Sequence, residues 1–448
     1  MADGSERLQD AFRRVTDDTL ALTESMTSWL TGLAGTTVQD LAANLTDPVG
    51  RATRVRELLD SALEEIRGDF EAMPDASFTI DSAPLERAYR SRAAGTADAQ
   101  DLVLIERFEK ALAVKAKHGS EYYVGPGDVK VGPTRKELVH RTDDGITLHR
   151  FDPGPDAPPR TGEPVLIVYS VINRSYILDL TEDCSVVRHL LGRGLDVYLV
   201  EWRRAVAGDH ETTLDGFVGP GIHACVDAIR ERTGHEQVAL FGHCIGGTFA
   251  VMYAAKHPER VARLLVLTAP FTAPRRGLVA AMTDRELLPV DALMDGLGMM
   301  PAKLIRHTFM GVKPYYEILK WKMFVENLGD DAMMARFAAI DTWANDNVDV
   351  PAEVFRGFIR AVFHDDAFLA GTLELGGEPL DLAAIDCPVL NMAGSADWIV
   401  PPDSAKALGA VVGGDYRYEE IPGGHLSLIL DPRCRARWDD VADFLAGA

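Results

Sequence analysis

The feature that most limits how this chain can fold is a turn at residues 242–246, between an apolar segment and a helix-forming one. Residues 238–241 are a short apolar run typical of a buried strand, and residues 246–257 are predicted to form a helix. A strand joins a helix this directly only through a sharp turn that strains the backbone at Cys244, and the flanking glycines avoid clashes there. The Cys244 side chain then stands at the helix N-terminus, where the helix dipole favours a thiolate. The pattern G-x-C-x-G therefore predicts a nucleophile, with the N–H of Ile245 aimed at a developing oxyanion.

Strand-like and helix-like segments alternate on both sides of this turn. Strands are predicted at 164–169, 196–202, 237–241, 261–267, 388–392 and 416–421. Helices are predicted between them at 185–194, 214–233, 246–257 and 404–411, with a last one at 438–445. This alternation predicts an α/β fold with a mostly parallel sheet that is covered by helices on both faces.

The alternation begins near residue 125 and lapses between 271 and 385, in a stretch rich in Met, Trp and Phe. The lapse predicts a helical cap over the carboxyl edge of the sheet, where open α/β sheets bind ligands. The expected organisation is an N-terminal helical region at 1–124, a core at 125–270, the cap at 271–385 and the rest of the core at 386–448.

The N-terminal region carries a heptad-like apolar seam. Its positions follow steps of three and four residues, with one polar gap: Phe12, Val15, Thr19, Leu22, Met26, Trp29 and Leu33. Such a seam packs either onto its own domain or against a partner or dimer helix.

Two further residues fall where a nucleophile needs them. Asp397 follows the predicted strand that ends at residue 392, and His425 follows the next strand, just after two glycines. The chain order nucleophile, acid, histidine is that of the α/β-hydrolase fold. We therefore predict that Cys244 is the nucleophile, His425 the general base and Asp397 the residue that orients the imidazole. A second oxyanion donor is expected after the first core strand, near Val171 or Ile172.

Four other His and Asp side chains could line a site but are better explained by packing or by solvent, and the other four cysteines are better explained as structural. This group comprises His243, His364, Asp365, Asp366, Cys184, Cys225, Cys387 and Cys434. Five scattered cysteines without close pairs argue against a disulfide framework and against a zinc site, so no metal is expected.

Composition excludes several classes of protein. A net charge of −22 disfavours binding to nucleic acid and to anionic lipid. No apolar run reaches the roughly 18 residues that a membrane span needs. The first residues lack the basic and apolar segments of a signal peptide, so a cytoplasmic location is expected.

Several longer segments carry a resemblance to a known family. They are 164–180 (PVLIVYSVINRSYILDL), 195–202 (LDVYLVEW), the turn at 242–246, 342–355 (TWANDNVDVPAEVF), 371–382 (GTLELGGEPLDL) and 387–408 (CPVLNMAGSADWIVPPDSAKAL). Over about residues 125–430, the chain resembles the polyhydroxyalkanoate synthases, nearest to the short type that works with a second subunit. That family has an α/β-hydrolase core with a cap, and its catalytic residues fall on Cys244, Asp397 and His425.

The chain departs from the family pattern around the predicted site. Ile245 stands where the family typically has Gln, and His243 precedes the cysteine as in many lipases and esterases. Trp398 replaces a His after the catalytic Asp, and Leu426 and Ser427 follow the catalytic His where the family usually has Ile-Gly.

The resemblance implies an acyltransferase that takes 3-hydroxyacyl groups from coenzyme A thioesters and passes them to a hydroxyl, so that a polyester grows. It implies no cofactor beyond the coenzyme A thioester substrate. The expected partners are a second copy in a homodimer, a second synthase subunit and the surface of a polymer granule. The alternatives are a Cys-dependent thioesterase or esterase, an acyltransferase of a specialised pathway, and a non-enzymatic granule-associated scaffold, against which the intact triad speaks.

Overall fold

The computed structural model describes residues 48–72, 81–118, 129–313 and 316–448. The apolar seam between Phe12 and Leu33 lies outside the described residues. Contacts divide the described chain into two compact units. One unit comprises the described residues up to 130 together with 276–281 and 303–346, and the other comprises 131–275, 282–302 and 347–448. The predicted domain boundaries, including a cap at 271–385, stay a prediction.

The larger unit is built on an eight-stranded sheet. Its strands are β1 (Lys136–Arg141), β2 (Thr147–Phe151), β3 (Val165–Val168), β4 (Val197–Glu201), β5 (Val238–His243), β6 (Val261–Leu267), β7 (Val389–Gly394) and β8 (Tyr416–Ile421). They lie in the order β1-β2-β4-β3-β5-β6-β7-β8. The pairs β1–β2 and β2–β4 are antiparallel, and every later pair is parallel. The predicted fold class is therefore confirmed, although the alternation of segments does not reveal β1 and β2.

The central strands are buried along their whole length. Every residue of β3, β5 and β7 is buried, as expected for parallel strands with both faces covered. A continuous apolar run predicted β3 from the sequence, whereas β7 contains the buried polar residue Asn391. The carboxyl ends of β3, β5 and β7 point toward one edge of the sheet, so the loops that follow them share that edge.

The helices of the described residues are Pro48–Ala72, Ala83–Ala94, Ala99–His118, Val186–Gly192, Leu214–Gly216, Ile222–Thr233, Ile245–Lys256, Gly277–Thr283, Val290–Leu297, Ala302–Val312, Tyr316–Glu326, Asp331–Asn345, Ala352–Ile359, Pro402–Lys406, Ser427–Leu430 and Arg435–Ala446. In the described part of the chain, three two-stranded ribbons accompany the main sheet. The predicted helix at 214–233 is interrupted, because a π-turn at Phe217–Gly221 contains Pro220, which has no N–H to donate.

The smaller unit has a core of its own. Phe108 and Trp321 meet with ring centroids 6.1 Å apart, and Phe324 stacks on Trp321 at 5.8 Å. The Lys313 ammonium, with a side chain only 8% exposed, lies 2.8 Å from Glu65 Oε1 and 2.5 Å from Asp69 Oδ2. Helices between 303 and 346 thus share a core with helices from the first 118 residues.

Within the ranges described, no helix combines the length and the apolar character needed to cross a bilayer.

Candidate active site

Cys244 occupies a strained turn between β5 and the helix Ile245–Lys256. Its backbone has φ 54° and ψ −131°, a conformation that side-chain-bearing residues rarely adopt. Two glycines make the turn possible. A Cβ at Gly246 would lie 2.3 Å from the carbonyl oxygen of Val168, and one at Gly242 would lie 2.5 Å from the Cα of Gly247. The structure therefore has the sharp strand-to-helix turn that the G-x-C-x-G pattern predicts.

The carboxylate of Asp397 is fixed by the loop after β7. Its Oδ1 accepts hydrogen bonds from the backbone N–H groups of Ile399 and Val400, both at 2.9 Å. Its Oδ2 lies 2.7 Å from Nδ1 of His425, and the Asp397 side chain is inaccessible to solvent. Because a carboxylate can only accept, Nδ1 of His425 carries the proton and Nε2 is left for another partner.

That other partner is Cys244. Burial alone would lower the pKa of His425, but the charges of Asp397 and Cys244, and hydrogen bonds to both, raise it to about 10. The imidazole thus lies between a carboxylate and a thiol, which is the arrangement that supports a thiolate–imidazolium pair. The structure brings together the three residues that the chain order singles out.

The loop after β3 lies against the turn that holds Cys244. A Cβ at Gly246 would come within 2.5 Å of the carbonyl carbon of Tyr169, so the two backbones are in direct contact. The Trp202 indole donates a 2.7 Å hydrogen bond to the Tyr169 carbonyl and holds this loop.

The predicted oxyanion donors are Ile245, Val171 and Ile172. Ile245 is the first residue of its helix, where backbone N–H groups have no intrahelical partner. Val171 and Ile172 are buried in the loop after β3, and the Ile172 N–H donates a long hydrogen bond of 3.4 Å to Ser170 Oγ. Their role in binding an oxyanion stays a prediction.

The structure places the His243 ring beside His425, although the sequence favoured a packing or surface role for it. Its ring stacks on Tyr169 with centroids 5.1 Å apart and planes 2° apart, and its centroid is 5.8 Å from that of His425. Neither ring nitrogen has a hydrogen-bond partner among the described residues. Burial, and then the charge of His425, lower the pKa of His243 well below 6.5, so the ring is neutral. The sequence signal for this position of His243 was the Gly-His pair before Cys244, which resembles the turn of lipases and esterases.

The weaker candidates have other surroundings. Asp365 pairs with Arg285, and Asp366 accepts a 3.1 Å hydrogen bond from Thr272 Oγ1. His364 is partly buried, and burial lowers its pKa.

The remaining cysteines, which all lie in the described ranges, are buried and form no disulfide. Burial raises the pKa of both Cys225 and Cys387 to about 12 and also raises that of Cys434. Cys184 lies 3.7 Å from the Ile429 carbonyl oxygen. Among the residues that the structure covers, no cluster of His, Cys, Asp and Glu is suited to hold a metal ion.

Known proteins resemble this chain over the region that contains Cys244, Asp397 and His425. The family model for the alpha/beta hydrolase fold matches residues 164–432. The poly(3-hydroxyalkanoate) polymerase subunit PhaC of Allochromatium vinosum is 34% identical over 72% of this chain and 90% of its own length. The protein of that name from Synechocystis is 32% identical over 68% of this chain and 82% of its own length. A solved monoacylglycerol lipase from Paleococcus ferrophilus aligns at 18% identity with a TM-score of 0.41, over 64% of this chain and 96% of its own.

Proposed function

Since the chain belongs to the poly(3-hydroxyalkanoate) polymerase family within the alpha/beta hydrolase fold, we propose that it is an acyltransferase that uses 3-hydroxyacyl-coenzyme A. The acyl group passes through Cys244 to a hydroxyl, and repetition of the cycle extends a polyester. The observation that supports this most is the chain of contacts Asp397–His425–Cys244 at a strained strand-to-helix turn.

Acylation is the first half of the proposed cycle. His425 Nε2 takes the proton of the Cys244 thiol, and the thiolate attacks the carbonyl carbon of the incoming thioester. The N–H of Ile245 stabilises the negative oxygen of the tetrahedral intermediate. The carbon–sulfur bond to coenzyme A then breaks, and its thiolate takes the proton from His425. Asp397 stabilises the imidazolium that exists between these two transfers.

Transfer is the second half. His425 deprotonates the incoming 3-hydroxyl group, whose oxygen attacks the acyl–Cys244 carbonyl, and the Cys244 thiolate leaves and is reprotonated. A thioester enzyme intermediate suits this purpose, because thioester exchange keeps the acyl group activated for an alcohol. The chemistry needs no cofactor other than the coenzyme A thioester substrate, and we propose that none takes part.

The same residues could release the acyl group to water. His243 before the nucleophile resembles the turn of lipases and esterases and supports a Cys-dependent thioesterase as the second candidate. We favour transfer because the similarity to the polymerase subunits spans 325 residues, whereas the departures are single positions.

The proposed partners follow from the same relationship. The relatives are named as polymerase subunits, which supports a second synthase subunit for this chain. We propose a homodimer and attachment to a polymer granule for the same reason, the membership of this chain in the polymerase family.

Incubation with 3-hydroxybutyryl-coenzyme A, while coenzyme A release and polymer are both followed, tests the function. Transfer predicts that thiol release accompanies polymer formation. Butyryl-coenzyme A, which lacks the 3-hydroxyl, should acylate Cys244 once and stall, and the Cys244→Ala variant should do neither. Steady release of free 3-hydroxybutyrate, with equal turnover of the butyryl substrate, would instead identify a thioesterase.

A further inference from the structure

A cavity of about 830 Å³ lies in the larger unit, at the carboxyl end of β4 and beside the loop after β3. We name it the arginine cavity, because its lining includes Arg141, Arg174, Arg203 and Arg204. Its volume falls within the range typical of small-molecule sites. It also opens at the edge of the sheet where open α/β folds bind their ligands.

The arginines are not matched by equal negative charge within the cavity. The acidic residues of the lining are Glu201 and Asp349, and both are already engaged. Glu201 Oε1 lies 2.5 Å from the Lys136 ammonium, and Asp349 accepts a 2.8 Å hydrogen bond from the Ala302 N–H.

Two of the arginines are available to a ligand. Arg203 pairs with Asp209 at 2.8 Å. Arg141 and Arg204 are exposed, and within the described ranges neither side chain forms a salt bridge or a hydrogen bond. In a chain of net charge −22, such a concentration of cations favours an anionic ligand locally.

The cavity and the nucleophile share a wall. Tyr169, Ser170 and Val171 line the cavity, and they belong to the loop that touches the turn around Cys244. Tyr169 also stacks on His243, the residue before the nucleophile. A ligand whose anionic end occupies the arginine cavity therefore lies beside the catalytic loop, and only its flexible remainder must reach the thiol.

We propose that the arginine cavity binds the phosphate groups of the coenzyme A donor, an inference that rests on the proposed function. Coenzyme A carries a diphosphate and a 3′-phosphate, and its pantetheine arm separates them from the thioester. Guanidinium groups bind phosphate oxygens through paired, charge-assisted hydrogen bonds. Without such a site, the negative field of this protein would repel a polyanionic donor.

Two substrates with the same acyl group separate this role from catalysis. One is 3-hydroxybutyryl-coenzyme A, and the other is the N-acetylcysteamine thioester of 3-hydroxybutyrate, which has no phosphate. The test variant is Arg141→Gln combined with Arg204→Gln, both at exposed positions. The matched control is Arg188→Gln, an exposed arginine of the helix Val186–Gly192 that does not line the cavity.

We expect kcat/KM of the double variant to fall by about tenfold or more with the coenzyme A thioester, through KM, since each lost contact to a charged group weakens binding. With the N-acetylcysteamine thioester, kcat/KM should change by less than about twofold, as is usual for surface substitutions. The control should behave like the wild type with both substrates. Added salt should raise KM for the coenzyme A thioester in the wild type more than in the double variant.

An equal loss with both substrates, or no loss with the coenzyme A thioester, would overturn the proposal. Calorimetric titration with free coenzyme A tests the phosphate site separately from the proposed function. If the wild type binds coenzyme A but turns over neither thioester, and the double variant loses binding, the site stands and the proposed activity fails. If the wild type turns over the thioester and both proteins bind coenzyme A equally, the activity stands and the site fails. If the wild type neither binds coenzyme A nor turns over a thioester, both proposals fall.

Discussion

The substitution Asp397→Asn tests the proposed roles of the triad residues most directly. It replaces one carboxylate oxygen by an NH2 group and leaves the hydrogen bonds of the surrounding loop in place. The Asn oxygen can still accept the two 2.9 Å hydrogen bonds from Ile399 and Val400 that fix the side chain. The new NH2 group then faces Nδ1 of His425 at the position where Oδ2 now lies 2.7 Å away. Two donors cannot face each other, so the imidazole must move its proton from Nδ1 to Nε2.

An imidazole with its proton on Nε2 cannot accept the proton of the Cys244 thiol. The substitution also removes the carboxylate charge that, against the effect of burial, helps to raise the pKa of His425 to about 10. The comparable change in serine proteases lowers kcat about 10⁴-fold, and we expect a similar loss here. A factor of that size corresponds to about 5 kcal/mol in the activation barrier.

The assay is a single turnover with 3-hydroxybutyryl-coenzyme A, in which mass spectrometry follows acylation of Cys244. Asp381→Asn is the matched control, because its carboxylate also accepts a loop N–H, from Ala383 at 3.0 Å. The control should acylate at the wild-type rate, and both variants should keep the wild-type circular dichroism spectrum. A folded Asp397→Asn protein that acylates within about tenfold of wild type would refute the tautomer argument.

Three further outcomes are expected. Iodoacetamide at pH 7 should label Cys244 first, because burial raises the pKa of Cys225 and Cys387 to about 12; peptide mapping that finds another cysteine modified at the same rate would contradict this. Gly246→Ala should lower the free energy of unfolding by about 1–3 kcal/mol in urea titration, because the new Cβ would lie 2.3 Å from a backbone oxygen. Gly296→Ala, whose Cβ would meet nothing within 4 Å, is its control and should leave stability unchanged or raise it by up to about 1 kcal/mol, because Ala is a better helix former than Gly. His243→Phe should keep or raise the Tm measured by calorimetry, because neither ring nitrogen has a partner in the described structure and the stack on Tyr169 can persist. A fall of several degrees would reveal a polar partner for His243.

The two reacting groups of the proposed site, the Cys244 thiol and the His425 imidazole, depend on different parts of the fold. The position of the Cys244 side chain depends on local geometry, because the strained turn and the helix N-terminus are formed by residues adjacent in sequence. The imidazolium at His425 depends on Asp397, which is 28 residues away along the chain. Asp397→Asn should therefore lower the pKa of His425 and leave the turn around Cys244 unchanged.

The sequence by itself determined the elements that depend on local chemistry. A continuous apolar run predicted β3, since strands that are covered on both faces bury every residue. The glycines around Cys244 predicted a strained backbone at that residue, and the structure has it there with φ 54°. The chain order of Cys244, Asp397 and His425 predicted the triad, since each residue follows a strand end at the same sheet edge.

Tertiary structure alone decided the arrangements that join distant segments. Helices between 303 and 346 look like a continuation of the cap in sequence, yet they share a core with helices from the first 118 residues. No sequence pattern predicts the stack of His243 on Tyr169. The same holds for the cavity that brings Arg141 and Arg204 together. The physical reason is that a contact between remote residues depends on strand order and loop path, and local propensity contains neither.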